Sequence, residues 1–192
     1  MAAAGVTNPL RLSYVKISEK LTGPRVWVGT RYYIGALKQN WNPQDYANQR
    51  TFLSQIQQED KRITVHLGRL ERRIIKNPLK PHLNALLSDP RLDKELGITL
   101  RKLIGTYGSV ETLQEKAVDV QLAIDMVEMA LAGDLDSAYL LSADGDLTPP
   151  VASLKARGKK VYVASPGFSS QLEQVADAFI HIKRDWFADC YR

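Results

Sequence analysis

The chain has one cysteine, Cys190, near its end. An intrachain disulfide is therefore impossible, and a reducing compartment, the cytoplasm, is the simplest expectation. No apolar run approaches the roughly 20 residues of a membrane span, so no membrane partner is expected. The opening stretch, Met1 to Asn8, lacks the basic patch and long apolar core of a secretion signal. No phosphate-cradling GxGxxG occurs, nor a GxxxxGK run followed by Ser or Thr. Repeats and low-complexity segments are also missing. Histidine is sparse: His66, His82 and His181 are scattered, which favours structural roles. Acid of either kind is only slightly outnumbered, with 26 Lys and Arg against 21 Asp and Glu, for a net charge of +5. That excess permits an anionic partner such as RNA without demanding one.

What is present is globular. The 192 residues are 44% hydrophobic and 24% charged, enough for one ordinary domain that needs no disulfide or metal to fold. Helical and strand-like segments alternate, which predicts an α/β sheet. Leu10 to Leu21 has helical apolar spacing, closed by Gly23-Pro24. Val26 to Ile34 reads as a strand. Asn42 and Pro43 supply an N-cap and a first helical residue for a helix running to about Gln58. Ile63 to Leu67 is a short strand. Residues 68–110 show no sustained period, and 84–104 suggest one or two short helices. Asp119 to Leu131 is a helix stopped by Gly133, with Gln121, Asp125, Glu128 and Ala132 near one polar stripe and the rest buried. Ala138 to Ser142 reads as a parallel strand covered on both faces, Lys160 to Ala164 as the next strand, and Ala178 to Ile182 completes the sheet. Pro149-Pro150 opens a helix that Gly158 closes, and Ser170 with Glu173 has capping-box spacing.

The strongest chemical feature is Ser142-Ala-Asp144-Gly-Asp146, between a buried strand and a helix N-terminus. Ligands of open α/β sheets gather at the carboxyl ends of strands. Two carboxylates there suit a hard cation such as Mg²⁺ or Mn²⁺; the alternative is an Asx turn leading into the helix. Asp119 stands at the mouth of the preceding helix, where an N-cap is the plain alternative. The usual crossover is taken to put that helix start at the opposite edge from Asp144. Asp125, rotated some 120° from Asp119 at about 100° per residue, shares the polar stripe, which favours a solvated position. Arg69, Arg72, Arg73, Lys76 and Lys80 cluster against one acid, Glu71. They form either a solvated loop or an RNA contact. Tyr32, Tyr33 and Trp41, near Arg31 and Lys38, can stack bases or fill the core. Cys190, near an expected exposed terminus, has no patterned base and is a poor nucleophile.

Three blocks taken together resemble the NYN domain, the LabA-like branch of the PIN-like nucleases. They are Lys116-Ala-Val-Asp119-Val-Gln-Leu-Ala-Ile-Asp125-Met, Leu140-Leu-Ser-Ala-Asp144-Gly-Asp146-Leu, and Lys155-Ala-Arg-Gly158-Lys-Lys-Val161 with Ala164-Ser165. Tyr32-Tyr33 and Leu67-Gly68 look like its second and third strands. The resemblance implies a PIN-like three-layer α/β/α sandwich with a mainly parallel sheet, over residues 10–185 as one domain, with 186–192 as a tail. It implies metal-dependent hydrolysis of RNA phosphodiesters. Asp119, Asp144 and Asp146 then look like carboxylates of a Mg²⁺ or Mn²⁺ site, and Asp125 matches a further family acid. Arg69, Arg72, Arg73 and Lys76 are the candidate RNA contacts, and a homodimer or protein partner fits as well. The family opens with a strand ending in D-G-x-N, whereas no acid here precedes Glu19. A start placed too far downstream, a truncated gene, or a member that has lost catalysis would each explain this. The last makes the chain an RNA- or protein-binding regulatory module. A small-molecule phosphohydrolase using the same acids is a third reading.

Overall fold

The computed structural model describes residues 11–192. The expected helix start at Leu10 and the Gly5 to Asn8 stretch lie outside the described residues. Ser13 is extended and its Oγ accepts the Lys16 amide at 3.1 Å, so it caps α1 (Tyr14–Thr22). Gly23, at φ +58°, ends the helix in a conformation that favours glycine. β1 (Thr30–Ala36) begins later than Val26. Val26 and Val28 face solvent while Trp27 is buried beneath the Arg62 guanidinium, 3.9 Å from its ring. α2 (Pro43–Glu59) starts as its local code dictates, with Asn42 accepting the amides of Gln44 and Asp45.

β2 (Ile63–Lys76) is far longer than the five residues expected. It is followed by α3 (Lys80–Leu87), α4 (Lys94–Tyr107) and β3 (Ser109–Lys116). The basic cluster from Arg69 to Lys76 thus lies on a strand, not a solvated loop. Then come α5 (Val118–Ala132), β4 (Ser137–Leu140), α6 (Thr148–Ala156), β5 (Lys160–Ser165), α7 (Ser170–Val175) and β6 (Ala178–His181). The fold is α/β, with seven α-helices among the described residues and two three-stranded sheets, β1-β2-β3 and β4-β5-β6. It is largely parallel: β1 pairs with β2 from Thr30–Ile63 to Ala36–Arg69, and β5 pairs in parallel with both β4 and β6. This matches the expected PIN-like α/β/α class.

The chain forms two compact units, one running up to Arg69 and resuming at Ala117–Arg192, the other Leu70–Lys116. In the first, Leu12, Ile17, Ile56 and Ile182 centre one core cluster. Val151, Leu154, Val161, Val163 and Leu172 centre another, each fully buried. The expected tail is part of the first cluster. Phe187 and Cys190 are buried, Leu12 bridges Tyr191, and the Ser13 amide donates to the Cys190 carbonyl at 2.8 Å. Burial, with the Asp189 charge beside it, pushes the Cys190 thiol up. In the second unit Asn77 and Gly108 are hydrogen-bonded, and Thr112 Oγ1 donates to the Arg73 carbonyl. Numbering rises on β2 as it falls on β3, so this pair is antiparallel.

Candidate active site

Only four residues join α5 to β4. The end of α5 must therefore lie where β4 begins, and its start must lie where β4 ends. This corrects the expectation that Asp119 and Asp144 stand at opposite edges. A helix returning to start the next parallel strand begins at the edge that strand runs toward. α5 indeed packs on the turn after β4 and on α6. Ala123, Ile124 and Val127 face Pro149 and Pro150 across a shallow apolar depression.

Asp119 is exposed in the first turn of α5 but does not cap it. The cap position is Ala117, in a left-handed conformation at φ +67° with no side-chain bond. Such a conformation costs a non-glycine residue energy and is held by its surroundings. The carboxylate of Asp119 favours the helix by facing its positive end. Asp144 does form an Asx turn: its Oδ1 accepts the Asp146 amide at 2.9 Å and opens the 3-10 turn Gly145–Leu147. Both Asp144 and Asp146 are exposed. None of the three carboxylates has a cation within ion-pair distance among the described residues. Ser169, at the start of α7, is buried, and its hydroxyl has no hydrogen-bond partner among those residues. α7 packs on the same Gly145–Leu147 turn. The expected capping box is displaced by one residue, since the cap is Ser169 and makes no side-chain bond.

Asp125 is not solvated. It is 5% exposed and sits among polar groups of β1, β2 and α5. Its Oδ2 accepts from Tyr33 Oη at 2.7 Å and from Arg31 at 2.9 Å, and its Oδ1 accepts from Gln121 at 2.7 Å. His66 Nδ1 stands 3.6 Å away, and its ring stacks on Tyr33 at 4.8 Å. Burial pushes the Asp125 carboxyl up, but the bonds from Tyr33, Gln121 and Arg31 outweigh it and hold the group below the usual range. Burial and the Asp125 charge together push the Tyr33 phenol up. Sequence reasoning missed Arg31, Tyr33 and His66 as a group. The signal was the parallel register, in which Tyr33 and His66 are direct partners. α5 is turned accordingly, leaving Val120, Ile124 and Leu131 exposed where the apolar pattern predicts burial.

Among the described residues no group of three His, Cys, Asp or Glu is placed to hold a metal ion. Carboxylate oxygens are suitable donors for Mg²⁺ or Mn²⁺. However, Asp125 is already saturated by its donors, and the remaining acids do not form a ligand set. The described residues do not fit a three-carboxylate ion site. Arg69, Arg72, Arg73 and Lys76 follow one another along β2, where alternate residues point to opposite faces. Arg72 pairs with Glu111 at 3.1 Å. Of the aromatics considered for stacking, Tyr32 packs with Tyr14 and Phe52 in the core, and Trp41 lies beneath Lys38.

An α/β fold with largely parallel strands and an acidic turn after β4 is consistent with the PIN-like nuclease superfamily, to which the NYN domain family belongs. The NYN domain pattern matches residues 3–183, so the chain belongs to the NYN domain family. It is also similar to the uncharacterized protein MJ0482 of Methanocaldococcus jannaschii, 38% identical over 74 residues. That stretch is 38% of this chain and spans only 31% of the relative's length. No solved structure matches. NYN domains are generally nucleases acting on RNA, and the superfamily typically uses divalent metal ions. Among the described residues no helix is long and apolar enough to cross a membrane.

Proposed function

We propose that the chain is a ribonuclease of the NYN kind, hydrolysing RNA phosphodiesters at the edge where β4 ends, with Asp119, Asp144 and Asp146 as its site carboxylates. The supporting observation is that these three acids are exposed and meet no cation among the described residues, with Asp144 and Asp146 on the turn that follows β4, where an open α/β sheet collects ligands. Other aspartates do meet a cation, Asp60 with Arg62, Asp89 with Arg91, Asp177 with Lys160 and Asp189 with Lys20, while Asp45, Asp93 and Asp134 share with the site acids the lack of one among the described residues. The orphaned hydroxyl of Ser169 beside the same turn adds a second unmet polar group. In this reading a carboxylate at the turn takes the proton of the attacking water. Arg69, Arg72, Arg73 and Lys76 engage backbone phosphates, so affinity falls as salt rises. No step is assigned to Mg²⁺ or Mn²⁺, because the described acids do not assemble a site for either.

A module that binds RNA or protein without turnover is the second reading. It is favoured by Asp125, the family-matching acid that Arg31 and Tyr33 consume. Single-stranded RNA incubated with the chain and Mn²⁺, beside an Asp144→Asn control, separates the readings. Cleavage that disappears in the control supports the first. Salt-dependent binding without cleavage supports the second. Hydrolysis of a phosphate monoester, with RNA untouched, refutes both.

A further inference from the structure

In the unit Leu70–Lys116, the buried residues among those described are two glycines, Gly97 and Gly108. Yet its helices are amphipathic. Leu79, Leu83 and Leu86 share one face of the α3 segment and Leu96, Leu100, Leu103 and Tyr107 one face of α4, at alternating spacings of four and three, with Leu87 four residues after Leu83. α3 packs on α4, and Leu83, Leu87, Leu100 and Ile104 become half-buried. The other flank of both stripes stays open: Leu79 is 60% exposed, Leu86 and Leu96 51%, Leu103 45% and Tyr107 61%. A two-helix hairpin covers only half of the apolar face that these sequences carry.

We propose that this hairpin packs against the same hairpin of a second copy, closing a four-helix bundle and making the chain a two-fold homodimer. Area supports a copy of itself. The open and half-covered side chains offer on the order of 700 Å² of apolar surface, near the roughly 800 Å² per partner of a standard interface and above the patches that monomers usually expose. Charge supports it too. Glu95 and Lys102 lie on one flank of α4, bordering the open side of its stripe. A two-fold axis near Thr99 makes the helices antiparallel and sets Glu95 of each copy opposite Lys102 of the other. The flank is thus complementary to itself, and a partner of one charge sign is not called for.

The test is the solution mass of the full chain by sedimentation equilibrium at about 50 μM, above the micromolar upper end for interfaces of this size. The expected mass is twice 21.5 kDa. The double variant Leu96→Glu, Leu103→Glu should keep its far-UV circular dichroism, because both positions are open in the single chain, and should sediment as a monomer. Glu95→Lys alone should weaken the dimer, and Glu95→Lys with Lys102→Glu should restore it. A single-chain mass for the unaltered protein overturns the proposal, whatever else covers the stripe. So does a dimer that survives both glutamates, or a charge swap that restores nothing.

Discussion

Replacing Asp125 by Asn tests whether this acid is an anchor or a ligand, because the two roles predict opposite signs. A carboxylate held among other carboxylates strains the fold, and neutralising it relieves repulsion. Asp125 instead receives three donors, from Tyr33 at 2.7 Å, Gln121 at 2.7 Å and Arg31 at 2.9 Å. The full loss of a buried, paired charge costs about 3–5 kcal/mol. Arg31 is 37% exposed by side chain and Gln121 is also exposed, so water recovers part of both bonds. The amide nitrogen of Asn would still face a donor that it cannot satisfy. The net cost is about 2 kcal/mol for Asn, and about 3 kcal/mol for Ala, which adds a cavity. For a chain of this length that corresponds to a fall of about 6 °C in midpoint for Asn. Urea titration followed by tryptophan fluorescence, with thermal melts alongside, measures it. An Asp125→Asn variant as stable as the unaltered chain, or more so, would refute the anchor.

Because the Asp125 carboxyl lies below its ordinary range when folded, its stabilisation is complete at neutral pH. It starts to fade as pH drops toward roughly 4 and disappears below the lowered value. The urea midpoint of the unaltered chain should therefore fall more steeply through that acid window than the midpoint of Asp125→Asn; equal slopes would count against the pairing. Asp119→Asn and Asp144→Asn remove exposed charges without cation partners among the described residues. Each should move stability by no more than about 0.5 kcal/mol, so lost RNA cleavage in a normally folded variant reports on the site. Leu154→Ala empties a fully buried position between α6 and β5, and should cost about 3 kcal/mol by urea titration; a change under about 1 kcal/mol would deny that cluster its role.

How much the sequence reveals depends on how local the cause is. Asn42 with Pro43, and Gly133 and Gly158 beyond their helices, act through neighbouring backbone, and the structure shows each as expected. The strands Ser137–Leu140, Lys160–Ser165 and Ala178–His181 were legible as short apolar runs between turn signals, although only the second is mostly buried and the third has exposed ends. The later half of β2 was not, since residues 71–76 are all exposed and leave no alternation to read. Val26 and Val28 misled for the opposite reason, being β-branched residues on a segment whose only buried member is Trp27. At the site, the acidic turn could be read from chain order. The cluster around Asp125 could not, because the donors Arg31 and Tyr33 come from β1, some 90 residues upstream, and the neighbouring His66 from β2, some 60 upstream.

α5 shows where hydrophobic pattern alone falls short: Gln121, Glu128 and Ala132 are exposed as the pattern predicts, but Asp125 of the same stripe is buried. Burying the apolar majority would have covered Val120, Ile124 and Leu131, yet these are 61%, 46% and 66% exposed. Leaving them in water forgoes burial worth about 1 kcal/mol or more for each. The opposing term is the pair of charge-assisted bonds that Arg31 and Tyr33 of β1 make to Asp125, which require α5 to turn Asp125 toward β1; the bond from Gln121 lies within α5 and forms at any rotation. Asp119, rotated a third of a turn from Asp125, is exposed. Under the proposed ribonuclease reading, Asp125 is a positioning residue for Asp119. Asp125→Asn should lower RNA cleavage through kcat with KM little changed, because the group it disturbs is the acid and not the phosphate-contacting bases. A variant destabilised by the expected amount yet fully active would separate the anchor from the site.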